Sequence, residues 1–130
     1  MSETQPLVLV VEDSEPIRTA FTILLEESGY TVAAAPTGAD AVRLAGGERT
    51  PDLVLLDLGL PDISGIDVAR SIKGNPATRN IPVVALTGRD DDGSREALLA
   101  AGCSAFLLKP VDTQALIRAL PGYIANTGAG

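Results

Sequence analysis

The sequence has no histidine and no tryptophan, one cysteine and one methionine, and aromatic residues make up only 3% of its 130 positions. Without an imidazole, neither a Ser-His-Asp nor a Cys-His nucleophile system can be built. A Cys/His metal cluster is excluded with them. A lone cysteine forms no internal disulfide, which fits a reducing cytosol. Basic residues are also scarce: Lys and Arg total 10 against 17 Asp and Glu, for a net charge of −7. That balance offers no electropositive face to a phosphate backbone, so direct nucleic-acid binding is not expected. No apolar run approaches membrane-spanning length, and the start Met1-Ser2-Glu3-Thr4-Gln5-Pro6 lacks the basic-then-apolar order of a secretory signal. The expectation is a cytoplasmic protein without membrane insertion, long enough for one domain with a continuous core. Its chemistry must run on carboxylates, Lys, Thr or a metal ion.

What is present is a rhythm of short apolar runs: Leu7 to Val11, Thr31 to Ala34, Leu53 to Leu56, Val83 to Leu86, and Ala105 to Leu108. Each is strand-length and nearly all apolar, as strands covered on both faces must be. Helical patterns lie between them. Ile17, Ala20, Phe21, Leu24 and Ser28 follow the i, i+3, i+4, i+7 spacing of one helix face, and Gly29 stops that helix. Thr37 is expected to cap a second helix running to about Gly46. Ser64 or Gly65 starts a third near Ile66 to Lys73, and Ser94 to Ala101 gives a fourth closed by Gly102. Asp112 caps a fifth carrying Leu116, Ile117 and Leu120, which Pro121 truncates or bends. Five strands alternating with five helices predict an α/β fold, a doubly wound parallel sheet with helices on both faces. The ends, 1–6 and 125–130, read as a short polar lead and a loose tail around a domain over 7–124.

In such sheets ligands bind beyond the carboxyl ends of the strands, where strand order reverses. The runs end in Glu12-Asp13, Ala35-Pro36, Asp57, Thr87 and Lys109-Pro110. Taken singly, each has a plain structural explanation: a capping acid, a turn acid, a loop hydroxyl, a surface charge before a fixed backbone bend. Their conjunction at one end of separate strands predicts a site, provided strands one, three, four and five are neighbours. Three close carboxylates repel one another unless a cation is present. With oxygen donors and no His or Cys, the expected ion is hard, and Mg²⁺ suits a small site that retains waters. A carboxylate beside Mg²⁺ and Lys can attack a phosphoryl group.

The order Val-Glu-Asp, Leu-Leu-Asp-Leu-Gly-Leu-Pro-Asp-Ile-Ser-Gly, Ala-Leu-Thr-Gly and Phe-Leu-Leu-Lys-Pro resembles the receiver domain of two-component response regulators, from about Leu7 to Leu120. The resemblance implies a flavodoxin-like sheet of order 2-1-3-4-5. It implies that Asp57 is the phosphoacceptor, charged from a histidine kinase or histidine phosphotransfer protein. Asp13 and Asp57 match direct Mg²⁺ ligands, joined by the Gly59 carbonyl, and Glu12 matches an acid acting through a bound water; Mn²⁺ is an expected substitute. Lys109 matches the residue pairing with the phosphoryl oxygens, and Pro110 the proline that follows, usually through a cis peptide. Thr87 and Phe106 match the hydroxyl and aromatic switch pair.

Several positions depart from the family pattern. Glu12 stands where Asp is commoner, Gly59 offers no side chain to guide water at the aspartyl phosphate, and Arg89 could shield it. Asp90-Asp91-Asp92 reads as a solvated helix start and Cys103 as a small packing residue. With no effector domain after Leu120, the expected output is a contact with a downstream protein target. That describes a free-standing monomer or weak homodimer, a relay intermediate, or the receiver segment of a hybrid kinase. The region Ser14 to Ile17 and the loop Pro110-Val111 border the crevice and are the expected kinase contacts. Two rivals fit less well. An aspartate-nucleophile phosphatase of the haloacid dehalogenase type needs an acid where Gly59 stands, and a flavin module needs a Ser/Thr/Gly phosphate loop where Glu12-Asp13 stands.

Overall fold

A computed structural model of the chain describes residues 5–58, 62, 64–88 and 92–125. Ten elements alternate along it: β1 (Leu7–Val11), α1 (Glu15–Glu27), β2 (Thr31–Ala35), α2 (Gly38–Ala45), β3 (Leu53–Asp57), α3 (Gly65–Gly74), β4 (Val83–Thr87), α4 (Asp92–Ala100), β5 (Ala105–Leu108) and α5 (Thr113–Ala125). The strands form one parallel sheet of order β2-β1-β3-β4-β5. The order reverses between β1 and β3, so the crevice above their carboxyl ends is the place for a ligand.

The strands read as unbroken apolar runs because each face meets helices. Leu9, Val11, Val54, Leu56, Val83 and Ala85 pack with Ala41, Ala45, Val68, Ile72 and Leu98 from α2, α3 and α4. The alternate residues Val8, Val10, Leu53, Leu55, Val84 and Leu86 pack with Phe21, Leu25, Leu116 and Leu120 from α1 and α5. The two-residue strand period thus divides one hydrophobic run between two cores. Each fully buried Leu in them stabilises the fold by about 1.5–3 kcal/mol.

Coverage on both faces holds for the three central strands, but not for β2 and β5, whose residues are mostly half-buried. Those two are the sheet edges, where a neighbour is present on one side only. The face expected for α1 also needs correction. Phe21 and Leu25 are buried, whereas Ile17 is 44% exposed and Ala20 and Ser28 are exposed. Helix α4 begins two residues before Ser94. Pro121 does not end α5, which continues through it to Ala125.

Helix termini follow local chemistry. Thr37 accepts from the Asp40 N–H at 3.1 Å, Ser64 from the Ile66 N–H at 3.2 Å and Asp112 from the Ala115 N–H at 3.1 Å. Each satisfies a main-chain donor that the helix cannot. At the opposite end of α4, Gly102 takes φ 94°, a left-handed conformation that other residues resist.

Candidate functional site

Register places the ends of four strands together. Val11 pairs with Leu56, Asp57 with Leu86, and Thr87 with Leu108, so Glu12, Asp57, Thr87 and Lys109 emerge side by side. Asp57 closes β3 at only 4% exposure, and Glu12 and Thr87 are equally buried at 3% and 5%. Glu12, Asp13 and Asp57 each contribute a carboxylate oxygen to a group lying within 4.8 Å of one another. Lys109 Nζ reaches in from the end of β5 and donates to Asp57 Oδ1 at 2.6 Å. The Lys109 N–H donates to the Thr87 carbonyl at 2.8 Å, and the Lys109–Pro110 peptide is cis.

The β1–α1 turn is held from several directions. The Glu12 N–H donates to the Ala35 carbonyl at 3.0 Å, and its Oε2 accepts from the Ser14 N–H at 3.1 Å. Arg18 Nη1 donates to the Glu12 carbonyl at 2.8 Å and reaches the Asp13 carbonyl at 3.4 Å. Glu12 Oε1 is buried and meets no donor among the described residues. Burial, then repulsion from Asp57, pushes the Glu12 carboxyl from 4.5 up to about 6, despite the Ser14 N–H and Lys109 acting the other way. An orphaned buried oxygen within a cluster of carboxylates is an arrangement that a cation relieves. All-oxygen donors select a hard ion.

On β4, Val83 and Ala85 face the α2–α4 core, and the strand period puts Thr87 on that same face. Phe106 pairs with Ala85 in register, is half-buried against that core, and lies under Arg95, whose guanidinium carbon is 5.7 Å from the ring centroid. Hydroxyl and ring therefore share one side of neighbouring strands. Gly59 lies outside the described residues.

The sequence profile of the response regulator receiver domain matches residues 8–121. The chain belongs to the response regulator receiver domain family. This receiver is 35% identical over 119 residues to the polar-differentiation response regulator DivK of Brucella ovis, covering 92% of the chain and 96% of that protein. The receiver domain of the sensor histidine kinase PA1611 from Pseudomonas aeruginosa PAO1, with a magnesium ion coordinated in its active site cleft, superposes with a TM-score of 0.84. It is 33% identical, with 94% of this chain and 99% of that one covered. The chemotaxis protein CheY4 of Vibrio cholerae gives a TM-score of 0.85 at 25% identity over 92% of this chain and 98% of its own. The 2-1-3-4-5 receiver fold expected from the sequence is the one observed.

Two contacts of the receiver were not anticipated. Arg18, one turn into α1, clamps the two carbonyls that carry the acid pair. A basic residue five or six positions beyond an acidic pair is the signal that could have found it. Asp62 also had no assigned role, yet its two carboxylate oxygens accept from the Gly38 and Ala39 N–H groups at 2.8 and 3.0 Å. Its partners are 24 and 23 residues distant, so no local pattern could announce it.

Proposed function

We propose that this chain is a single-domain response regulator that takes a phosphoryl group onto Asp57 and signals by changing its contacts with another protein. The observation that carries the reading is Asp57 itself, a buried carboxylate ending a central strand, 2.6 Å from Lys109 Nζ and within 4.8 Å of Glu12 and Asp13. An Asp57 oxygen attacks the phosphorus of a phosphohistidine on a kinase or phosphotransfer protein. The new O–P bond forms as the P–N bond breaks, and the bonding pair leaves with the donor's imidazole. Lys109 pairs with the transferring oxygens, and the closed strand end holds the attacking oxygen in place. Glu12, Asp13 and Asp57, with the Gly59 carbonyl, would hold Mg²⁺ or Mn²⁺, which when bound neutralises charge on the phosphoryl oxygens.

Thr87 then shifts toward the phosphoryl group and Phe106 follows, moving a two-state equilibrium of the surface around β5. The protein performs no turnover on an outside substrate; its chemistry is gain and loss of phosphate at Asp57. The acid that a haloacid-dehalogenase-type phosphatase needs two positions after its nucleophile is Gly59 here. Docking of the donor at the start of α1 is supported by an apolar groove of about 230 Å³ lined by Pro16, Ile17, Ala20, Phe21, Leu24 and Thr113. Docking at Pro110-Val111 is supported by a neighbouring one of about 160 Å³ that they line with Ile17, Phe21 and Lys109. The exposed α1 face thus has a use.

The near-complete coverage of DivK, 96% of its length, supports a stand-alone regulator; a cytoplasmic location and a monomeric or weakly dimeric state are part of the same proposal. The likeness to a sensor kinase's receiver supports a second reading, as a relay or hybrid-kinase segment. Among the described residues, no helix is long and apolar enough to cross a membrane. Intact mass after incubation with acetyl phosphate and Mg²⁺ tests the chemistry. A single phosphoryl adduct is expected, lost in Asp57→Ala and with chelator present. Equal labelling of Asp57→Ala would refute the assignment.

A further inference from the structure

We infer that Asp62 is a positioning residue for the phosphoacceptor, tying the loop after Asp57 to the N-terminus of α2. The inference rests on the proposed function, since it concerns how that site is held. The described residues of this connection are held at two places. At its base, the Gly65 N–H donates to the Leu58 carbonyl at 3.4 Å, and a Cβ on Gly65 would lie 2.6 Å from Leu58 Cα. The Leu58 N–H in turn donates to the Leu86 carbonyl at 3.2 Å, continuing the β3–β4 ladder past Asp57. Farther out, Asp62 Oδ1 takes the Gly38 N–H and Oδ2 the Ala39 N–H.

Gly38 and Ala39 are the first two residues of α2, so Asp62 satisfies donors that the helix leaves open. Thr37 takes the next, from Asp40. A negative charge at that end also meets the positive end of the helix dipole. The geometry is two-pronged, which fixes direction as well as distance. Strand β1 forms hydrogen bonds to both β2 and β3, and α2 follows directly from β2. The anchor therefore spans the switch point, connecting the loop beyond β3 to the element beyond β2.

A residue with this role acts on the loop leaving Asp57, not merely on the stability of α2. Thr37 supplies the control, because Thr37→Ala removes a cap from the same helix end without touching the loop. Full-length wild type, Asp62→Ala, Asp62→Asn and Thr37→Ala are compared for three quantities. These are Mg²⁺ affinity by titration calorimetry, labelling rate with acetyl phosphate at saturating Mg²⁺, and thermal midpoint.

Asp62→Ala is expected to weaken Mg²⁺ binding about tenfold, as loss of an outer supporting contact does at metal sites. Labelling should slow with it. Asp62→Asn keeps one acceptor oxygen and should recover most of the affinity. Thr37→Ala should lower the midpoint as Asp62→Ala does, yet bind Mg²⁺ within about twofold of wild type. Equal loss of Mg²⁺ affinity in Thr37→Ala and Asp62→Ala, or no loss in either, overturns the positioning role. Wild type that takes up neither Mg²⁺ nor phosphate overturns the phosphoacceptor reading itself, a result distinct from any difference among variants.

Discussion

Glu12 concentrates the electrostatic conflict of the site, because it is buried, adjoins Asp57, and has one carboxylate oxygen without a donor among the described residues. Its carboxyl ionises near 6 in the folded chain and at 4.5 when unperturbed. Between those values the folded state holds a proton that the unfolded state has released. Without metal, stability from this group is therefore greatest below about pH 4.5 and falls as pH rises through about 6. Mg²⁺ favours the ionised form, so its affinity should climb through the same window. Thermal midpoints of wild type and Glu12→Gln in chelator, read from pH 5 to pH 7, check this: wild type should lose stability relative to the variant. Parallel curves would show that Glu12 carries no strain.

At the scale of elements, the junction of β3 and α3 is closely packed where Gly65 meets Leu58. A side chain at Gly65 would meet Leu58 Cα and Cδ2 at 2.6 Å and the Asp57 carbonyl at 3.1 Å. Two of those three obstacles are backbone and cannot move aside. Gly65→Ala is expected to destabilise the fold by about 1–3 kcal/mol and to slow labelling at Asp57, measured by denaturant unfolding and intact mass. Stability within about 0.5 kcal/mol of wild type would contradict the packing argument. Elements with local signals were legible in the sequence: Thr37, Ser64 and Asp112 cap α2, α3 and α5 where expected, and Gly29 and Gly102 follow α1 and α4 with positive φ. The acids, the hydroxyl and the lysine at the strand ends were legible for the same reason, since each directly follows or ends an apolar run. Depth in the sheet was not. The runs of β2 and β5 read as strands much as that of β1 does, and their half-buried state comes from their place at the ends of the sheet order. The α1 stripe misled because Ile17 and Leu24 line a surface groove instead of meeting the sheet.

Taken whole, the molecule is braced at the end away from the site as well as near it. Lys73, at the close of α3, donates to the Ile81 carbonyl at 2.6 Å and the Arg79 carbonyl at 3.1 Å. A Cβ on Gly102 would lie 2.7 Å from Lys73 Cγ, so the α4 terminus rests on that side chain. Beside it, Cys103 is buried, and burial pushes its thiol from 9.0 up to about 11. At mildly alkaline pH this leaves about a hundredfold fewer thiolates than an unperturbed cysteine would have. A thiol reagent should therefore modify the native protein only through opening, with a rate that rises in step with unfolding as denaturant is added. Rapid, denaturant-independent modification would mean that the α4–β5 corner opens by itself.

The ion pair between Asp57 and Lys109 joins residues 52 positions apart. On the ribosome, the acids of β1 and β3 are exposed to solvent well before the ammonium that will face them has been synthesised. A nascent or prematurely terminated chain carries the anionic half of the pair alone. The proposed charging of Asp57 beside Lys109 would therefore have to await the last strand, β5.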